Sequence, residues 1–293
     1  MSISPKHWLL AIRPKTLPSA VAPVLMGTAM AFGDGIKHFP TAFLCLLGAL
    51  AIQIGTNLAN DYYDHKKGAD TAGRTGPTRV TQAGLIAPGK VKAAFIGAFV
   101  LAALIGGYLA MRGGWPIAVI GAAAILSGIL YTAGRYPLGY LGLGDIFVFV
   151  FFGPVAVAGT YYVQSMELNA AVVFAGFVPG LLSVAILTVN NLRDMDSDRA
   201  CGKNTLAARF GRSFAVSEYL ACLFGAAIAP VLIYMFIQDH IVILSCVFIL
   251  FAAIATIKTV AAKTDGPSLN AALASTARIL LIYSVLFSLG WIL

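Results

Sequence analysis

Apolar residues run through this chain in long blocks separated by short breaks marked by Gly and Pro, such as Arg112-Gly113-Gly114-Trp115-Pro116. Nine blocks stand out, over 18–34, 41–59, 93–111, 115–133, 144–163, 170–190, 214–236, 241–258 and 274–292. An α-helix needs about 20 apolar residues to cross a bilayer, and each block approaches that length. The pattern predicts an all-α, polytopic membrane protein with about nine transmembrane helices in one domain over 1–293. Two connections are longer and polar, one from Asn60 to Lys92 and one from Asn191 to Ser213.

Composition agrees with this pattern. Of 293 residues, 59% are hydrophobic and 11% are charged, where soluble domains carry about 25% charge; the mean hydropathy is +0.85. These values exclude an ordinary soluble enzyme, a disordered tail and a secreted disulfide scaffold. Cys45, Cys222 and Cys246 lie in apolar runs and read as small buried hydrophobes, and no cysteine has metal-like spacing. Cys201 lies in a polar loop and is assigned no role. The stretch Met1 to Pro18 carries Lys6, Arg13 and Lys15 where a signal peptide would turn apolar. It reads instead as an amphipathic lead-in with Trp8 near the membrane interface.

The formal charge of +8 would suggest a nucleic-acid partner in a soluble protein, but its distribution points to the bilayer. With nine spans, eighteen of the twenty Lys and Arg residues fall on the side of the N-terminus, and only Lys37 and Arg112 fall on the other. The excess of positive charge on cytoplasmic loops then predicts the N-terminus and the long polar connections inside, with the C-terminus outside. The two long connections also share a pattern, Asn-x3-Asp at Asn60 to Asp64 and at Asn190 to Asp194. A coarse repeat of 18–133 and 144–258, followed by a last helix over 274–292, describes the chain.

Six of the twelve acidic residues gather in these connections: Asp61, Asp64, Asp70, Asp194, Asp196 and Asp198. Ionisable groups at a membrane are costly, which marks them as functional. Asn190, Asp194 and Asp198 share one helical face, as do Asn60 and Asp64, whereas Asp70 lies beyond Gly68 and is expected to turn back from a broken helix end. Carboxylates on one face repel, and a divalent cation relieves that repulsion. Carboxylate and amide oxygens suit Mg2+, which is held by one or two carboxylates plus substrate phosphates. Lys66, Lys67, Arg74, Arg79, Arg193, Lys203 and Arg209 add the cations that such a diphosphate clamp uses. The third connection, Tyr131 to Tyr140, reads two ways. Its tyrosines are interface anchors, or Tyr131 lines a cavity beside a developing cation while Arg135 meets an anionic group.

At these residues the chain resembles the UbiA superfamily of intramembrane prenyltransferases. The resemblance rests on Asn57-x2-Asn60-Asp61-Tyr62-Tyr63-Asp64-x3-Gly68-x-Asp70 and on Asn190-Asn191-x-Arg193-Asp194-x3-Asp198-x3-Gly202-Lys203. Gly76-Pro77-x-Arg79-x2-Gln82-x-Gly84 and Thr205-Leu206-Ala207-x-Arg209-x-Gly211 look like the branch acting on 1,4-dihydroxy-2-naphthoate. The resemblance covers the whole chain and implies a helical bundle around a central cavity open sideways to lipid. It implies Mg-dependent transfer of a polyprenyl group from an allylic polyprenyl diphosphate to the aromatic acid, with loss of CO2, in a bacterial inner membrane. Two Mg2+ ions would be held by Asn60, Asp64, Asp70, Asn190, Asp194 and Asp198, the four aspartates carrying catalysis. Asn57, Asn60, Lys67, Arg79, Tyr131, Arg135, Asn190, Arg193 and Lys203 are the expected substrate contacts. Asp61 and Asp196 lie off the shared faces and are expected to balance charge or orient a lysine. Decarboxylation restores aromaticity, so no strong general base is needed, and His65 reads as an exposed loop residue. Homogentisate and 4-hydroxybenzoate are the rival acceptors. A cation-coupled transporter is the rival of another class, although its acids would sit near the midplane. The Asp-Gly-x2-Ala-Arg signature of CDP-alcohol phosphotransferases is not present.

Overall fold

Every apolar block becomes helix, because a backbone in hydrocarbon must satisfy its own hydrogen bonds. The computed structural model describes residues 4–68 and 76–293, and Asp70 and Arg74 lie outside them. In chain order the helices are α1 (Pro5–Ile12), α2 (Pro18–Gly33), α3 (Phe39–Lys66), α4 (Pro88–Gly113), α5 (Trp115–Leu130) and α6 (Gly144–Phe151). They continue with α7 (Pro154–Ser165), α8 (Ala170–Ala200), α9 (Leu206–Phe210), α10 (Arg212–Ile237), α11 (Ile249–Ala262) and α12 (Gly266–Ile292). Among the described residues seven spans are long and apolar enough to cross a membrane, counting 144–165 and 241–262 as one each. An eighth is the pair formed by the lead-in and α2, bent by 54°. The ninth block, α5, is a shorter apolar helix of sixteen residues.

Local sequence sets the ends. His38 caps α3, Asn169 caps α8 and Asp265 caps α12, each accepting a backbone N–H three residues on. Pro occupies the first turn of α2, α3, α4, α5, α7 and α12, where its missing N–H costs nothing. The block predicted over 144–163 is broken at Gly153-Pro154. Its Gly153 lies against Gly176 and Gly180 of α8, so closely that a Cβ there would strike the Gly176 carbonyl at 2.7 Å. The block over 241–258 starts as a 3-10 segment, Ile241–Phe248, before α11.

The main core joins α2, α7, α8, α10 and α12 around Met26, Met30, Leu182, Tyr219, Tyr283 and Phe287. A smaller core joins α3 and α4 around Leu58, Val91, Phe95 and Phe99. A cavity lies between the two. Large apolar side chains such as Met111, Phe236 and Phe251 point outward and are 70% or more exposed, an outer surface suited to lipid. In one respect the helices exceed the sequence reading: α3 runs on to Lys66 and α8 to Ala200. Asp61, Asp64, Asp194 and Asp198 therefore occupy helical turns rather than loops, and all four are packed inside the bundle.

Candidate active site

The cavity holds about 590 Å3, and its carboxylates gather at one end. Asn60 and Asp64 of α3 and Asn190, Asp194 and Asp198 of α8 all border that end, as their shared helical faces require. Asp64 and Asp194 are almost fully buried, at 1% and 2% exposure.

Asp64 is the point of convergence. Arg79 donates to its Oδ2 at 3.1 Å and Lys203 to the same oxygen at 3.3 Å, while the Tyr140 hydroxyl donates to Oδ1 at 3.0 Å. Each partner arrives by a different local device. The carboxylate of Asp61, itself buried, accepts the backbone N–H groups of Val80 and Thr81 at 3.1 and 3.0 Å, and this fastens the segment that carries Arg79. Gly202 adopts φ +71, and the Lys203 N–H folds back onto the Asp198 carbonyl at 2.8 Å, which turns Lys203 across the end of α8. Tyr140 is tied to the same turn, since the Asn204 N–H donates to its carbonyl at 3.0 Å. Gly142, at φ +78, lets the two segments meet, because a Cβ there would lie 2.7 Å from the Asn204 carbonyl. The Tyr140 ring also carries the ammonium groups of Lys67 and Lys203, at 4.8 and 4.9 Å from its centroid.

On α8 the Arg193 guanidinium grips Asp194 with two bonds, Nε to Oδ1 at 2.8 Å and Nη2 to Oδ2 at 2.6 Å. It also reaches Asn190 Oδ1 at 2.8 Å and Asn270 Oδ1 at 2.6 Å. Arg193 is not among the cavity-lining residues; it holds two residues that are. Asn60 Oδ1 accepts from Thr132 at 2.9 Å. Asn57 donates to the Ile12 carbonyl at 2.8 Å and to Thr16 Oγ1 at 3.0 Å, fastening the N-terminal elbow to the cavity wall. Lys67 donates to the carbonyls of Thr132 and Gly134, at 2.6 and 3.2 Å. Desolvation there holds its ammonium below the ordinary lysine value, Asp64 acts in the opposite sense and Lys203 lowers it further. Tyr131 lines the cavity, whereas Arg135 is exposed, stacks on Tyr136 and does not border it. Asp196 is exposed and faces Arg199 at 3.7 Å, and His65 is exposed.

The amide and carboxylate oxygens at this end are hard donors that fit Mg2+. Among the described residues no three His, Cys, Asp or Glu side chains converge on one point, so an ion here needs ligands beyond this chain's described acids, and substrate phosphate oxygens meet that need. Pattern reading missed Tyr140, Thr132 and the structural use of Asp61. Tyr140 stood within the quoted third connection, but nothing in its spacing set it apart from Tyr136.

An integral-membrane bundle with paired acidic helix ends over one cavity is the arrangement of an intramembrane transferase. The chain belongs to the UbiA prenyltransferase family, whose model matches residues 20–290. It is 38% identical to the 1,4-dihydroxy-2-naphthoate octaprenyltransferase of Escherichia coli strain K12, across 97% of this chain and 94% of that one. It is 39% identical to the Mycobacterium tuberculosis protein of the same name, across 70% of each. The fold matches a UbiA homolog from Archaeoglobus fulgidus, solved bound to DMAPP and Mg2+, with TM-score 0.70 and 16% identity over 98% of this chain and 99% of that one.

Proposed function

We propose that this protein transfers a polyprenyl group from an allylic polyprenyl diphosphate to 1,4-dihydroxy-2-naphthoate with loss of CO2, giving demethylmenaquinol. The observation that carries this reading is the one-ended cavity. Carboxylates and cations gather at one end, and the rest is lined mainly by apolar side chains such as Ile117, Phe147 and Phe151, with a few uncharged polar groups such as Gln53 and Thr160. A diphosphate headgroup fits the first and an isoprenoid tail the second. The acceptor follows from the named relatives.

Arg79 and Lys203 neutralise the diphosphate as the allylic C–O bond breaks and the leaving group departs with the electron pair. Asn60, Asp64, Asp70, Asn190, Asp194 and Asp198 would hold Mg2+, as two ions. Bound there, Mg2+ supplies positive charge at the diphosphate oxygens. Arg193 keeps Asp194 and Asn190 in place. The face of Tyr131 is attractive to the allylic cation, and the apolar walls keep water from it. The ring carbon bearing the carboxylate forms the new C–C bond. CO2 then leaves, and the pair of its C–C bond returns to the ring, so no side chain has to remove a ring proton. The acidic end and N-terminus face the cytoplasm of a bacterial cell, the C-terminus lies outside, and the chain is a coarse repeat of 18–133 and 144–258 followed by a last helix over 274–292.

The test incubates purified protein in lipid with an allylic polyprenyl diphosphate, Mg2+ and, separately, 1,4-dihydroxy-2-naphthoate, 4-hydroxybenzoate and homogentisate. A decarboxylated prenyl-naphthoquinol, lost with EDTA and in Asp64→Ala and Asp194→Ala, is expected. Product from another acceptor instead overturns the assigned acceptor, and no product from folded protein overturns the transferase reading.

A further inference from the structure

The end of the cavity opposite the acids has a construction of its own. Gly106 and Gly107 of α4, Gly121 of α5 and Gly159 of α7 all line it. At each of the four an added Cβ would meet no atom within 4 Å. Nearer the acids the cavity-lining glycines differ. A Cβ on Gly128 would run into Thr56 Oγ1, and one on Gly139 would lie 2.9 Å from the Tyr131 ring. Space is therefore filled beside Gly128 and Gly139, toward the acids, and left open at these four glycines.

The four glycines also share a depth. Gly107, Gly121 and Gly159 each lie six residues, about 9 Å, from the helix end opposite the acidic groups. Those ends are adjacent, because Arg112 of α4 donates to the carbonyls of Val163 and Gln164 of α7 at 2.8 and 3.1 Å. Gly48 packs beside Ile105 at this level and stands sixteen residues before Asp64 on α3, so the collar lies about 24 Å from the acids.

We infer that this glycine collar is the passage through which the donor's tail leaves the cavity, and that its bare Cα atoms set the tolerance for long isoprenoid chains. The inference rests on the proposed reaction and adds the residues that select chain length. An extended carbon chain advances about 1.2 Å per bond, a third of the reach of one extended residue. A farnesyl main chain of roughly a dozen carbons then reaches about 13 Å and ends before the collar. An octaprenyl main chain of roughly thirty carbons reaches about 37 Å and must pass it. A branched side chain at the collar should obstruct the second donor and leave the first untouched.

The experiment compares wild type, Gly121→Leu and Gly107→Leu with farnesyl and octaprenyl diphosphates as donors. In parallel, the thermal stabilisation of the purified proteins by each diphosphate reports binding without turnover. The expected result is that both variants keep farnesyl transfer within twofold of wild type. Octaprenyl transfer should fall by about tenfold or more, the cost of one overpacked contact, and octaprenyl diphosphate should lose its stabilising effect in step. Placing the two substitutions on different helices covers the case in which one of them fails to fold, which the farnesyl reaction reveals. Unchanged octaprenyl transfer in both variants overturns the inference, because the tail then leaves the cavity before the collar. An equal fall with both donors overturns it too, since the collar would then serve packing. If wild type transfers neither donor, the proposed reaction fails, and the stabilisation measurements alone decide the path of the tail by the same criteria.

Discussion

Tyr140 offers the sharpest check on how the charged end of the cavity works. Its hydroxyl holds one oxygen of Asp64 at 3.0 Å while Arg79 and Lys203 hold the other. Its ring bears the ammonium groups of Lys67 and Lys203. The two functions separate by substitution. Tyr140→Phe keeps the ring and removes only the hydrogen bond, which is worth about 1.5–3 kcal/mol when the acceptor is charged. At about 1.4 kcal/mol per decade, kcat/KM should fall by roughly ten- to a hundredfold. Tyr140→Leu also removes two cation–π contacts of about 0.5–1 kcal/mol each, a further factor of roughly five to thirty. The Tyr140 backbone bonds to Pro137 and Asn204 survive both changes, so the segment stays seated and the thermal midpoint should fall by no more than about 10 °C. The assay is initial rate against donor concentration at saturating acceptor, with the second loss read in KM because the lysines lie at the headgroup end. If Tyr140→Phe matches wild type, the hydroxyl does not organise Asp64. If the Leu variant equals the Phe variant, the ring does not hold the lysines, and the reasoning fails at that step.

Asp61→Ala leaves the buried N–H groups of Val80 and Thr81 without their acceptor. A cost of about 2–5 kcal/mol is expected, a fall of roughly 5–15 °C in the unfolding midpoint; a wild-type midpoint in a thermal melt would show that the carboxylate does not fasten that segment. Lys67, whose ammonium is held below the ordinary value of 10.5, loses its charge at a lower pH than a free lysine. The alkaline decline of donor affinity should therefore begin below pH 10.5 and move upward in Lys67→Arg, which stays protonated; identical pH profiles for the two proteins would remove Lys67 from headgroup binding.

Much of the architecture was legible because hydrocarbon imposes one rule on every span. The nine apolar blocks needed only length and hydropathy, and the helical period alone put Asn190, Asp194 and Asp198 on a common face. What stayed hidden depends on contacts between distant segments. Tyr140 reaches Asp64 across 76 positions of sequence, and the close meeting of Gly142 with Asn204 helps seat its segment. Asp61 had no visible task because its partners are backbone N–H groups nineteen and twenty residues on. Arg193 read as a substrate contact from its charge, yet its bonds run to Asp194, Asn190 and Asn270. The break within 144–163 was written as Gly153-Pro154, but the depth of its seat against Gly176 and Gly180 belongs to packing.

The latch between the N-terminal elbow and α3 bears on how the bundle is built. Gln53 and Asn57 sit mid-way along α3, and an unsatisfied amide in hydrocarbon costs several kcal/mol. Their partners, the Ile12 carbonyl and Thr16 Oγ1, precede them in the chain. A ribosome delivers those partners first. By the time α3 leaves the insertion machinery, the groups that neutralise its polar middle are already waiting beside it. The first helical hairpin can then enter the bilayer as one self-satisfied unit, ahead of every helix that later closes the cavity.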